Sequence, residues 1–275
     1  MNIRHEMSSI VSRLRAAGCV FAEEEARLLA ESARTPADLD AMVNRRAAGL
    51  PLEHIVGWAE FCGLRIAVDP GVFVPRPRTA LLVRQAAALA HPGAVAVDLC
   101  CGSGALGAAL AAVCDRLELH AADIDPVAVQ CARRNVAAFG GSVYEGDLYA
   151  PLPAALRGRV DVLIANVPYV PTEAIELLPP EARIHEARVA LDGGADGLDI
   201  QRRVAVEASR WLAPGGHLLV EASERQAPQS AQIFARCGLI PQIARCDEMD
   251  ATVVIGTKPA PVNSGSDAHK EDDFG

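Results

Sequence analysis

Residues 97–107 read VDLCCGSGALG. With the preceding Ala94–Ala96 they form a short apolar run that ends in an acid, then a glycine-rich turn, then an alanine- and leucine-rich stretch. Gly102, Gly104 and Gly107 satisfy G-x-G-x-x-G between a predicted strand and a predicted helix, a turn that brings backbone close to a nucleotide. Alone, the pattern fits a dinucleotide as well as other nucleotides. The neighbouring segments have to separate these.

From about residue 77 the chain alternates helix and strand. Helix 78–90 leads to strand AVAVDL (94–99), helix 105–114, strand LELHAADI (117–124), helix 126–139, strand SVYEGD (142–147) and strand VDVLIAN (160–166). A helix at 197–212, the turn APGG (213–216), strand HLLVEA (217–222), a helix at 228–237 and two last strands follow. This alternation implies a mostly parallel sheet covered by helices on both faces. The last two strands are joined only by CDEMDA (246–251), so they form an antiparallel hairpin at one edge. Upstream, Ile3, Met7, Ile10, Leu14 and Ala17 recur at helical spacing, and FAEEEARLLAESA (21–33) carries three glutamates at a helix start. A third helix opens with Thr35 as N-cap and Pro36 in the first turn, and closes at Gly49. The expected organisation is a helical unit over 1–50, a β-hairpin linker over 51–76, a catalytic α/β domain over 77–258 and a disordered, Pro-, Gly-, Ser- and acid-rich tail over 259–275.

Composition narrows the function. Of 275 residues 51% are apolar, ample for a core, and no apolar run approaches the roughly 20 residues that span a bilayer. The N-terminus lacks the apolar segment of a signal peptide, so a cytoplasmic location is expected, with no membrane partner. Eight cysteines without a C-x-x-C pair read as reduced thiols, and seven dispersed histidines give no metal site. A net charge of −9 with no basic run makes a nucleic-acid substrate unlikely, because a duplex-gripping protein neutralises phosphates with Lys and Arg.

In an open α/β sheet the ligand lies beyond the C-terminal strand ends, where the strand order reverses. Asp98 ends the first strand, four residues before Gly102. A carboxylate there is unfavourable beside a pyrophosphate and favourable beside the ammonium and sulfonium of S-adenosylmethionine. Asp123, 21 positions after Gly102, suits a ribose diol, and Asp147 suits an adenine amino group. The fourth strand ends in NVPY (166–169). A planar NH2 is a poor nucleophile because its lone pair is delocalised. Two oxygen acceptors, the Asn166 side chain and a neighbouring carbonyl, orient it by taking both N–H protons, and Tyr169 stacks on the planar group. In isolation the same four residues also describe a simple turn.

Together VDLCCGSGALG, AADIDPVAV (121–129), GDLYAPLP (146–153), ANVPYVP (165–171), ALDGGADGLD (190–199), LAPGGHLLVEAS (212–223) and the linker ending in VPRP (74–77) resemble the HemK/PrmC family. These are protein-(glutamine-N5) methyltransferases acting on peptide chain release factors. The resemblance runs to about residue 258 and implies an α/β class I S-adenosylmethionine-dependent methyltransferase, Rossmann-like, behind a small helical substrate-recognition domain. It also implies that Asp98, Gly102 and Gly104 hold the methionine moiety, Asp123 the ribose, and Asp147 with the Leu148 backbone the adenine. Asn166 and the Val167 carbonyl would hold the glutamine amide, with Pro168 and Tyr169 completing the clamp.

Four positions depart from the family pattern, Cys100, Arg78, Ala80 and Val167, and a fifth, Glu186, keeps it. Cys100 replaces a family glycine and is strained if its φ is positive. Arg78 and Ala80 replace family acids after VPRP, which bears on substrate identity more than on the cofactor. Glu186 matches a family acid, with an arginine ion pair as the plainer role. Val167 replaces proline; held extended by Pro168 it can still offer its carbonyl, at about 0.4–1 kcal/mol of lost pre-organisation, but its extra N–H needs a partner. The competing functions are N-methylation of an adenine base and a paralogue that binds the cofactor without catalysis.

Overall fold

The computed structural model describes residues 3–261, with side-chain burial from Met7 onward. The tail expected to be disordered lies, from residue 262, outside the described residues.

Helices α1 (Ile3–Ala16), α2 (Ala22–Ser32) and α3 (Pro36–Ala47) pack on a core of their own around Ile10, Leu14, Leu29 and Val43. Thr35 caps α3: its Oγ1 accepts from the Asp38 N–H at 3.1 Å, while the Asp38 carboxylate accepts from the Arg34 N–H. The hairpin expected over 51–76 is narrower than the alternation suggested. Leu52–Val56 is a short helix, α4, because Leu52, Ile55 and Val56 repeat at helical spacing and turn into the helical unit's core. Gly57, at φ 83°, ends it. Only β1 (Trp58–Phe61) and β2 (Leu64–Ala67) form the hairpin, a separate antiparallel pair. Its Phe61 and Ile66 enter the core of the main sheet.

The remaining elements are α5 (Ala80–Leu89), β3 (Val95–Leu99), α6 (Ala105–Val113), β4 (Glu118–Asp123), α7 (Pro126–Val136), β5 (Ser142–Glu145) and β6 (Val160–Ala165). Then come α8 (Pro180–His185), α9 (Asp199–Trp211), β7 (Leu212–Ala222), α10 (Ala227–Arg236), β8 (Ile240–Cys246) and β9 (Ala251–Thr257). The seven-stranded sheet has the order β5-β4-β3-β6-β7-β9-β8. Neighbours from β5 to β7 are parallel, and β9 runs antiparallel between β7 and β8, so the terminal hairpin forms as expected with β8 at the edge. APGG, expected as a turn, is carried inside β7 where the register against β6 shifts. Gly216 allows this, since a Cβ there would lie 2.6 Å from the Val160 carbonyl oxygen. Among the described residues no helix is long and apolar enough to cross a membrane.

Side chains alternate along β3: Val95, Val97 and Leu99 face the layer of α9 and α10, while Ala96 faces that of α5, α6 and α7. Strand order reverses at β3, with β4 on one side and β6 on the other. The crevice for a ligand therefore opens at their C-terminal ends.

Arg46 of α3 ties the helical unit to α8. Its guanidinium donates to the Glu25 carboxylate at 2.6 and 3.0 Å, to the Leu50 carbonyl at 2.9 Å and to Glu181. The Arg46 and Glu25 side chains are almost wholly buried. Removing one member of a buried pair leaves the other charge uncompensated. Arg46→Met is therefore expected to lower the unfolding free energy in urea by about 3–5 kcal/mol, and adding Glu25→Leu to recover most of it. A single-variant loss below about 1 kcal/mol would show that the pair is solvated.

Candidate active site

The glycine loop is shaped by what surrounds it. Gly104 caps α6 with φ 76°, and a Cβ there would stand 3.0 Å from Ala132 Cβ on α7. At Gly107 a Cβ would stand 3.2 Å from Asp98 Oδ2, the atom that accepts the Gly107 N–H at 3.0 Å. The Asp98 carboxylate thus holds the start of α6 from behind the loop. Asp123 holds the front: Oδ2 accepts from Gly102 N at 2.8 Å and Oδ1 from Asp125 N at 2.9 Å. Burial pushes Asp98 up to about 7, the nearby Asp123 charge adding to the effect and the Gly107 N–H opposing it. Burial also raises Asp123, against its backbone donors.

A cavity of about 510 Å³ opens above this loop, large enough for a nucleoside cofactor and part of an acceptor. Gly102, Asp123, Asp147, Leu148, Asn166, Val167, Pro168 and Tyr169 are among the residues that line it. All eight are residues that the sequence singled out. Asp98 and Gly104 stand behind this lining. Asp147 is half exposed and pairs with Arg203 at 2.5 Å, a partner the sequence did not suggest. Leu148 has φ 49° and Cys100 φ 54°. The condition for strain at Cys100 is met, at a cost of roughly 1–2 kcal/mol for a residue other than glycine. Burial and the Asp123 charge keep its thiol protonated far above the usual range. Glu186 forms the plainer ion pair, with Arg76 at 2.5 Å, and accepts from Val74 N at 3.3 Å.

S-adenosylmethionine fits these residues. The loop offers no Cβ at Gly102, Asp123 and Asp147 line the cavity, and Asp98 Oδ1 and Asn166 Oδ1 are buried without a hydrogen-bond partner. The Val167 side chain is buried, and neither its N–H nor its carbonyl bonds within the protein among the described residues.

The segment ALDGGADGLD, recognised by resemblance alone, has a physical task. Val170 exchanges hydrogen bonds with Leu191 and Gly193 at 3.1 and 2.8 Å, and Thr172 N donates to the Gly194 carbonyl at 2.9 Å. A Cβ on Gly193 would stand 2.7 Å from the Pro168 carbonyl oxygen, and one on Gly197 would overlap that of Tyr169. Gln226 Nε2 donates to the same Tyr169 carbonyl at 3.0 Å. The glycines let this strap lie directly on the backbone of NVPY and fix it. At the ring end, the Tyr169 hydroxyl accepts from Arg78 at 2.6 Å and donates to Glu221 at 3.1 Å. Arg78, Glu221 and Gln226 carried no recognisable signal as partners, being far from Tyr169 in sequence.

The sequence profile of the methyltransferase small domain matches residues 63–197. A methyltransferase structure from Pyrococcus furiosus shares the fold, with TM-score 0.55 and 17% identity over 81% of this chain and 99% of that one. Sheet order, glycine loop and acid-lined cavity define a class I methyltransferase that uses S-adenosylmethionine. Proteins named release factor glutamine methyltransferase are 40% identical in Geobacter sulfurreducens, over 72% of this chain and 69% of that protein, and 35% identical in Deinococcus radiodurans, over 86% and 92%. The chain belongs to the release factor glutamine methyltransferase family.

A cationic ligand favours ionised Asp98 and so lowers its proton affinity. Binding of S-adenosylmethionine below about pH 7 should release a proton and tighten as pH rises toward 7. Calorimetry in buffers of different ionisation enthalpy reads this directly, and Asp98→Asn should abolish the buffer dependence. Gly197→Ala should displace Tyr169 and cut methyl transfer at least about tenfold while cofactor affinity stays within about twofold. Unchanged turnover would mean the strap does not position the clamp.

Proposed function

We propose that this protein transfers a methyl group from S-adenosylmethionine to the side-chain amide nitrogen of a glutamine in a peptide chain release factor. The observation that carries the reading is the pair of unpartnered acceptors, Asn166 Oδ1 and the Val167 carbonyl, at the cavity wall beside Tyr169. Each takes one N–H of the incoming amide, which leaves the nitrogen lone pair directed at the cofactor side of the cavity. Pro168 and Tyr169 close the clamp, the ring packing on the amide plane. The valine costs little in this arrangement because the clamp uses its carbonyl and not its side chain.

On the cofactor side, Asp98 supports the methionine end through the Gly102–Gly104 loop, Asp123 accepts from the ribose hydroxyls, and Asp147 with the Leu148 N–H meets the adenine. The bound cofactor supplies an electrophilic methyl on a positively charged sulfur. An amide nitrogen that gained a methyl would be acidic enough to lose its proton to solvent, so Asn166 and the Val167 carbonyl need only orient the amide and a strong protein base is not required. The helical unit over residues 1–50, joined by the 51–76 linker to the catalytic part over 77–258, is the surface on which the release factor docks, in the cytoplasm.

Purified protein incubated with labelled S-adenosylmethionine and the release factors of its source should place label on one glutamine, located by peptide mass spectrometry. Label on nucleic acid, or on another protein alone, would overturn the acceptor. Asn166→Ala should lower transfer by about 100-fold with cofactor affinity little changed. Cofactor binding with no transfer to any cell fraction would mark a non-catalytic relative.

A further inference from the structure

Arg78 projects from the short turn Pro77–Thr79 that precedes α5, and its side chain lines the main cavity beside Tyr169. It closes a three-member ring of hydrogen bonds. Its Nη2 donates to the Tyr169 hydroxyl at 2.6 Å, its Nε to Glu221 Oε1 at 3.3 Å, and the same hydroxyl donates to Glu221 Oε1 at 3.1 Å. Glu221, at the end of β7, is 4% exposed, and its second oxygen has no partner among the described residues. The neighbouring hollow of about 220 Å³ is lined by further acids, Glu224, Asp247 and Asp250, with Arg245 the other cation. Arg245 approaches Glu224, at 3.7 Å, and not Glu221. The charge of buried Glu221 is therefore met by Arg78.

We infer that Arg78 is a positioning residue for methyl transfer, locking the Tyr169 ring against the acceptor amide by gripping its hydroxyl and holding Glu221 in place as the second anchor. The inference rests on the function proposed above. The backbone of Tyr169 is fixed independently, by Gln226 and the glycine strap, so Arg78 governs the ring and not the loop. With both anchors in place the hydroxyl's donor is spent on Glu221, and the ring face is what the acceptor meets. An uncharged side chain at position 78 would leave Glu221 buried without a counter-charge and the ring free to turn. A lysine would keep the charge with one donor in place of the guanidinium fork.

The test uses the full chain, the release factor as acceptor, and the variants Arg78→Met, Arg78→Lys, Tyr169→Phe and the Met/Phe double variant. Arg78→Met and Tyr169→Phe should each lower kcat about tenfold while cofactor Kd stays within about twofold, and the double variant should fall no more than about twofold below the weaker single variant. Arg78→Lys should recover at least half of the loss. Carbon-13 labelling at tyrosine Cζ gives a readout independent of turnover, since the chain has three tyrosines and Tyr169→Phe assigns the signal. That signal should move in Arg78→Met and stay near its wild-type position in Arg78→Lys. Losses that multiply to about a hundredfold in the double variant, or an unmoved signal, overturn the role of Arg78. A wild type that labels no glutamine refutes instead the function on which the inference rests, whatever the signal does.

Discussion

A buried oxygen acceptor without a donor costs about 1–3 kcal/mol, and Asn166 keeps one at the end of β6. Much of the surrounding structure serves to hold that arrangement. Strand order puts Asn166 beside the glycine loop, across the point where the sheet reverses. The strap 190–199 presses on the next residues at distances only glycine permits, and Gln226 bonds the Tyr169 carbonyl. An Asn–Val–Pro turn free to relax would find its own partners. This one is prevented from doing so, and on the proposed function the unmet acceptor is kept for an N–H that comes from outside.

Electrostatics divide the cavity into two ends. On the proposed function Asp123 and Asp147 make the cofactor end acidic, suited to a cation, with Asp98 behind the loop, and each is differently employed. Asp98 accepts from the start of α6 with one oxygen and burial raises its pKa to about 7, Asp123 bridges the loop to α7, and Asp147 faces solvent with Arg203. The acceptor side offers neutral oxygens and an aromatic ring, as an uncharged amide requires. A net charge of −9 disfavours a phosphate backbone as partner.

The sheet, its terminal hairpin and eight residues of the cavity lining were legible because they follow from local pattern: period, glycine spacing and the residue ending each strand. What was hidden depends on contacts across the chain. Arg78 and Glu221 lie 143 positions apart, so the departure after VPRP could not be read as one member of an ion pair. Asp98 was expected at the methionine end, and its second task was not legible: one of its oxygens, Oδ2, accepts the Gly107 N–H at the start of α6. The hairpin reading of the linker missed residues 52–56, where the helical unit's core recruited one more turn of helix, and APGG, read as a turn, is drawn into the strand by pairing with β6.

Val167 is the residue on which these features meet, since the chain's clamp is one proline short of the family pattern and yet its carbonyl stands unpaired beside Asn166. A crystal structure of the protein with S-adenosylhomocysteine and a glutamine-bearing release factor fragment tests the account most directly. The account predicts the glutamine amide nitrogen within about 3 Å of both Asn166 Oδ1 and the Val167 carbonyl oxygen, with the Tyr169 ring against the amide plane. A glutamine side chain bound elsewhere, with those two oxygens facing solvent or one another's loop, would contradict it.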